Sequence, residues 1–200
     1  MKLVKKAKRF FFAGLLSPFA LVLVLNWPGT AGAQNVFRTQ EADIYYTAPS
    51  DLQILENSLR FRQLDNFRQQ YVYTAAPGQA VFAAGLAAKI DGLLAKVRLV
   101  LNFCPRNRER LRIFLLKNGR EVQERRLALQ PSAERPLFGH GTLEGFYDPM
   151  NRTIFLSLDD IRTGVLAHEM AHFILCESCV VPPPEDIQED WARFVETQVN

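Results

Sequence analysis

The chain has 200 residues, 48% of them hydrophobic and 22% charged, one domain's worth of sequence with enough apolar content to bury a core. Its formal charge of +3 misleads, because five of its 24 basic residues crowd into the first nine positions, and the remaining 19 face 21 acidic ones for a net of −2. A mildly acidic domain with no internal repeat or low-complexity tract is a poor match for nucleic acid.

The five early basic residues, Lys2, Lys5, Lys6, Lys8 and Arg9, precede an apolar run over residues 10–25, and Ala31-Gly32-Ala33 follows as a small-residue cleavage signal. This is the order of a secretory signal peptide (residues 1–33), cut before Gln34, with residues 34–200 as a single secreted or periplasmic domain. The apolar run is short for a membrane span, and no later segment is long and apolar enough to replace it. No stable transmembrane segment is expected after cleavage.

Residues 43–47 read as a strand, followed by a helix from Ser50 through Phe61. Residues 79–101, rich in alanine and leucine, read as a long amphipathic helix. Arg106, Arg108, Arg110 and Arg112 then form a basic cluster read as a solvated loop and strand edge. Residues 110–117 alternate like a strand, ended by the turn signal Asn118-Gly119. Residues 121–129 fit a helix or a strand, and residues 130–136 a loop. Two β-prone runs, 142–147 and 153–157, flank Asp148-Pro149-Met150-Asn151-Arg152, a turn-forming sequence that predicts a hairpin.

After the hairpin, Asp159 and Asp160 are expected to N-cap a helix whose apolar positions include Ile161, Val165, Leu166, Met170, Phe173 and Ile174. His168, Glu169 and His172 interrupt that apolar pattern as an HExxH motif. Positions i and i+4 lie about 40° apart on one helix face, so two imidazoles can grip one ion. Glu169 then becomes the general base that takes a proton from a zinc-bound water. Two of the three histidines in the chain are spent here. A catalytic Zn²⁺ takes three protein ligands and keeps a position for water. Pro182-Pro183-Pro184 breaks the chain, an acidic helix over residues 185–196 can fold back across the first, and no later histidine exists. The third ligand is therefore expected to be a carboxylate.

These motifs resemble the gluzincin metallopeptidases, the thermolysin-like and aminopeptidase-like zincins of peptidase clan MA, over roughly the last sixty residues. In that family the third ligand is a glutamate on a following helix, commonly with a small residue three positions later. Gln188-Glu189-Asp190-Trp191-Ala192-Arg193-Phe194 resembles that segment, which implies Glu189 as the metal ligand with Glu185 as the fallback. Arg193 stands where many relatives carry an acidic group, and Glu196, two turns beyond Glu189, can orient a ligand histidine instead. The hairpin resembles the strand that borders the cleft and pairs with extended substrate in relatives. Gly139, Gly141 and Gly145 would keep that approach open. Relatives stabilise the oxyanion with a tyrosine or histidine beside the zinc, for which Tyr147 and His140 are the candidates.

The resemblance implies an α+β fold, a small zincin-like domain with a mixed sheet and hairpin, an active-site helix and a ligand helix. It also implies an exported zinc-dependent metallopeptidase acting on a peptide or protein substrate. The alternative is a non-catalytic zincin-fold binding or assembly module of the cell envelope. Outside the cytoplasm, Cys104, Cys176 and Cys179 meet oxidising conditions. A bridge from Cys104 to Cys176 or Cys179 is the favoured reading, beside a local loop or redox pair made by Cys176 and Cys179.

Overall fold

The computed structural model describes residues 35–60, 79–103, 109–130 and 143–199. The expected signal peptide and its expected cleavage site, Phe61, Cys104, Arg106, Arg108, Gly139, His140 and Gly141 lie outside the described residues.

The strands are short β-prone runs, some alternating in burial and the two of the hairpin buried throughout. β1 (Asn35–Arg38) and β2 (Ala42–Tyr46) form an antiparallel pair, and α1 (Pro49–Ser58) follows. Pro49 preorganises the first turn of α1, while Asp51 Oδ2 reaches back to accept from the amides of Thr47 and Ala48 at 3.0 and 2.8 Å. The expected helix start is thus displaced by one residue, and its end falls at Ser58, ahead of Phe61. α2 (Gln79–Leu101) spans the expected residues and buries Leu86, Ile90, Leu93, Leu94, Val97 and Leu101 at helical spacing. β3 (Leu111–Leu116) alternates between buried and more exposed positions.

Asn118-Gly119 begins a helix, α3 (Gly119–Leu129), where the sequence suggested a turn. Asn118 is its N-cap and accepts from the Glu121 amide at 3.1 Å, while Glu121 returns a carboxylate to the Lys117 amide. The asparagine chemistry that closes a turn also caps a helix, so the dipeptide alone does not separate the two. The ambiguous residues 121–129 are helical. The hairpin forms as expected, from β4 (Gly145–Asp148) and β5 (Thr153–Ser157) in antiparallel register.

The sheet order is β1-β2-β3-β5-β4, with parallel pairing from β2 through β3 to β5 and antiparallel strands at both edges. Among the described residues the architecture is mixed α/β, five helices and a five-stranded mixed sheet, compatible with an α+β domain. The strand directly before the motif helix is interior; β4, the other arm of the hairpin, is the edge. One sheet face carries Ile44, Ile113, Ile154 and Tyr147 in register and packs into the main core. The other carries the aromatic row Tyr45, Phe114, Phe155 and Phe146; Phe155 and Phe146 form a second, smaller core with Val122 of α3, and Phe114 packs against it.

Two helices complete the chain, α4 (Thr163–Ser178) and α5 (Glu185–Val199). The expected cap of α4 at Asp159 and Asp160 is not formed. Asp160 accepts from Ser157 Oγ at 2.8 Å, Ile161 lies before the helix, and Arg162 is the N-cap with no side-chain capping bond, its guanidinium donating to Glu144 instead. Ser157 at the end of β5 claims the carboxylate, and the helix begins where Thr163 is tied to Arg60 through a 2.8 Å bond from the Arg60 amide. No described helix is long and apolar enough to cross a membrane.

A candidate metal centre on two helices

α4 is apolar on nearly every side, burying Val165, Leu166, Ala167, Met170, Ala171, Phe173, Ile174 and Leu175. Burial of each larger side chain is worth about 1.5–3 kcal/mol, so the helix is fixed in rotation by its core contacts. That fixes the motif too. His168 and His172 emerge one turn apart on the side that faces α5, their side chains 18% and 12% exposed. Glu169, one residue round, is buried at 7%.

α5 starts after the three prolines, with the Pro184 carbonyl accepting from the Gln188 amide at 3.0 Å. It buries Ala192, Val195 and Val199 and leaves Ile187, Trp191 and Phe194 exposed. Glu189 flanks the buried stripe and meets both histidines, with Oε1 at 3.4 Å from His172 Nε2 and Oε2 at 3.6 Å from His168 Nε2. The two Nε2 atoms are 3.2 Å apart. A tetrahedral ion with bonds of about 2.0–2.1 Å separates its donors by about 3.3 Å; the two Nε2 atoms stand at that spacing, and the carboxylate approaches each ring with a different oxygen at a similar distance. His168, His172 and Glu189 are the group among the described residues able to hold a metal ion, their donor atoms lying within 4.8 Å of one another. Imidazole and carboxylate donors suit zinc and equally other divalent transition ions.

The far side of each imidazole is also occupied. His172 Nδ1 faces Gln188 Oε1 at 3.4 Å, and the Gln188 amide is oriented by its Nε2 donating to the Pro183 carbonyl at 2.7 Å. That arrangement selects the tautomer with N–H on Nδ1, leaving the Nε2 lone pair for a metal. His168 Nδ1 lies 3.7 Å from Glu196 Oε2, an ion-pair distance longer than a hydrogen bond. Burial, then the neighbouring His172, lowers the pKa of His168, favouring the neutral ring that metal binding requires. Gln188 has no role in the sequence reading beyond preceding Glu189. Its neighbour in sequence was the available signal, since one helix position sweeps 100° and brings an adjacent side chain to the opposite side of the same histidine.

The Glu169 side chain lies against edge strand β4, where the Tyr147 backbone favours its charged form. Burial first, then the Glu189 charge, raises its pKa to about 8. Gly145, on the same strand, lets this packing close: a Cβ there would stand 3.0 Å from Leu156 Cδ2, 3.2 Å from the Phe155 carbonyl oxygen and 3.5 Å from Glu169 Cγ.

The remaining candidates fall elsewhere. The Tyr147 ring packs edge-on against Phe173 with centroids 6.0 Å apart, and its buried hydroxyl has no hydrogen-bond partner among the described residues. Burial raises the pKa of that hydroxyl, and the side chains acting on it most strongly are Cys176 and Glu177, towards the C-terminal end of α4. Tyr147 thus meets Glu169 through its main chain. Glu185 is exposed at the first position of α5. Arg193 is 68% exposed and lies 3.8 Å from Glu189 and 3.9 Å from Asp190. Cys176 and Cys179 are free, half-buried thiols, so neither carries the expected long-range bridge. No family model, curated protein or solved structure matches this chain.

Proposed function

We propose that this protein is an exported zinc-dependent metallopeptidase of gluzincin type, with His168, His172 and Glu189 holding the metal and Glu169 acting as general base. The observation that carries the reading is the convergence of two Nε2 atoms and a carboxylate at ligand spacing beside a buried glutamate. A bound zinc supplies water of pKa near 7, about nine units below that of bulk water.

The chain's own groups supply the rest. Gln188 keeps His172 in the ligating tautomer, and Glu196 does the same work at longer range for His168. Glu169 takes the proton of the attacking water and hands it to the departing amine. A carboxyl whose pKa burial has moved up to about 8 serves both transfers near neutral pH better than one of ordinary acidity. The Tyr147 backbone on β4 favours the charged form of that carboxylate. β4 is a sheet edge, so extended peptide can add to it as a further strand. Tyr147 and His140 are the proposed sources of oxyanion stabilisation. The basic N-terminal residues, apolar run and Ala31-Gly32-Ala33 support export to the periplasm or medium.

The test measures metal content and hydrolysis of a mixed peptide library for the purified wild type, Glu189→Ala and Glu169→Gln. About one zinc per chain is expected in the wild type and in Glu169→Gln, and much less in Glu189→Ala. Hydrolysis should fall by about 10²–10⁴ in Glu169→Gln despite retained metal. A wild type that takes up no zinc sinks the reading. Zinc uptake without hydrolysis in the wild type instead favours the non-catalytic envelope module.

A further inference from the structure

His168, His172 and Cys176 follow one another at four-residue intervals along α4, and Cys179 is the C-cap of the same helix. Three helical positions separate two Cα atoms by about 5 Å, inside the range of about 4.4–6.8 Å that a disulfide spans. Cys179 has extended backbone, φ −98° and ψ 141°, and is followed by the exposed Val180 and Val181. Both thiols are free. The Cys176 thiol donates to Gln188 Oε1 at 3.6 Å, the same oxygen that faces His172 Nδ1. Because Gln188 Nε2 is committed to Pro183, one amide oxygen serves two donors, a thiol and a candidate metal ligand.

We propose that Cys176 and Cys179 are a dithiol modification site that an incoming disulfide closes into a local bridge, and that closure strengthens metal binding through Gln188. The second half rests on the metal reading above.

The exchange balances within these two residues and one small disulfide. Cys179, as thiolate, attacks the incoming disulfide and expels one thiol. Cys176 gives up its proton and attacks the Cys179 sulfur of the mixed disulfide, expelling the second. The protein loses two protons and two electrons, and the incoming disulfide takes them up to become two thiols. Burial, then Glu177, raises the Cys176 thiol pKa to about 11. Its position at a helix C-terminus likewise withholds the thiolate stabilisation that oxidising Cys-X-X-Cys pairs gain at a helix N-terminus. The reduced form is not favoured, so the bridge resists re-reduction. Once closed, it removes the Cys176 S–H, and Gln188 Oε1 is left wholly to His172 Nδ1–H. A stronger acceptor there makes His172 Nε2 the more basic ligand.

The experiment treats the full chain with excess oxidised or reduced glutathione, maps blocked and linked cysteines by peptide mass, and measures Zn²⁺ affinity of both forms by chelator competition. A Cys176–Cys179 linked peptide is expected, with zinc bound about threefold to tenfold more tightly, below the full span of 10–100-fold for losing an outer partner. Cys179→Ser keeps the thiol donor, cannot close the bridge, and should not respond to oxidant; His172→Ala should also lose the response. A bridge to Cys104, or thiols that stay reduced in excess disulfide, overturns the dithiol site. A mapped bridge with unchanged affinity overturns the coupling. Failure of either form to bind zinc would overturn the metal reading and the coupling together, while the mapping arm decides the dithiol by itself.

Discussion

α4 and α5 lie side by side and share one candidate centre, yet they are built on opposite economies of burial. α4 hides Leu166, Met170, Phe173 and Ile174 and presents His168, His172 and Cys176 on one strip; α5 hides only Ala192, Val195 and Val199. The two histidines therefore inherit their positions from the hydrophobic core, while Glu189 is placed by one narrow face of a surface helix. The helix that pays to bury polar groups is the one that supplies Glu169 as well. The Tyr147 backbone offsets only part of that cost, since burial and then the Glu189 charge still raise the Glu169 pKa.

The contrast can be broken by phenylalanine truncation. Phe173 is 1% exposed on α4 and Phe194 47% exposed on α5. Phe173→Ala should cost about 3–5 kcal/mol in denaturant unfolding, and Phe194→Ala no more than about 0.5 kcal/mol. Equal losses would mean that α5 is as deeply seated as α4. A smaller effect is expected at Gly145, where the core of α4 meets β4. Gly145→Ala drives a methyl into Leu156 and the Phe155 carbonyl, and should lower stability by about 1–3 kcal/mol. Unchanged stability would show that β4 can give way. The finest probe is Gln188→Ala, which leaves the three donors intact and removes the acceptor from His172. Zinc affinity should drop about tenfold with little change in unfolding midpoint; an unaltered affinity would mean that the core alone orients the ring.

Elements defined by local periodicity were legible in the sequence. The long α2, the β4–β5 hairpin and the helix bearing HExxH all follow from hydrophobic spacing and turn residues within a few positions. The histidine pair was legible for the same reason, since helical repeat brings the two together; Glu189 was singled out by the family resemblance alone, and the fold brings its carboxylate beside both rings. What escaped was competition and long-range pairing. Asp160 can cap a helix, but Ser157 takes its carboxylate. Asn118 can close a turn, but the chain after it prefers a helix. Nothing local reveals that β5 pairs with β3, so its interior place in the sheet, and the edge role of β4, could not be read. Gln188 was passed over because a neutral amide declares no chemistry until its partners are in place.

The sheet order also bears on the sequence of events in folding. β2 and β3 are parallel neighbours drawn from residues 42–46 and 111–116, and β3 must then find β5. Closing such distant pairs is slow. The three candidate ligands lie within residues 168–189, on two successive helices joined by a short proline-rich turn. That unit is local in the chain and can zip up well before the sheet is complete. A metal captured at that stage would clamp the last two helices together and hand the slower strands a ready-made surface on which to assemble.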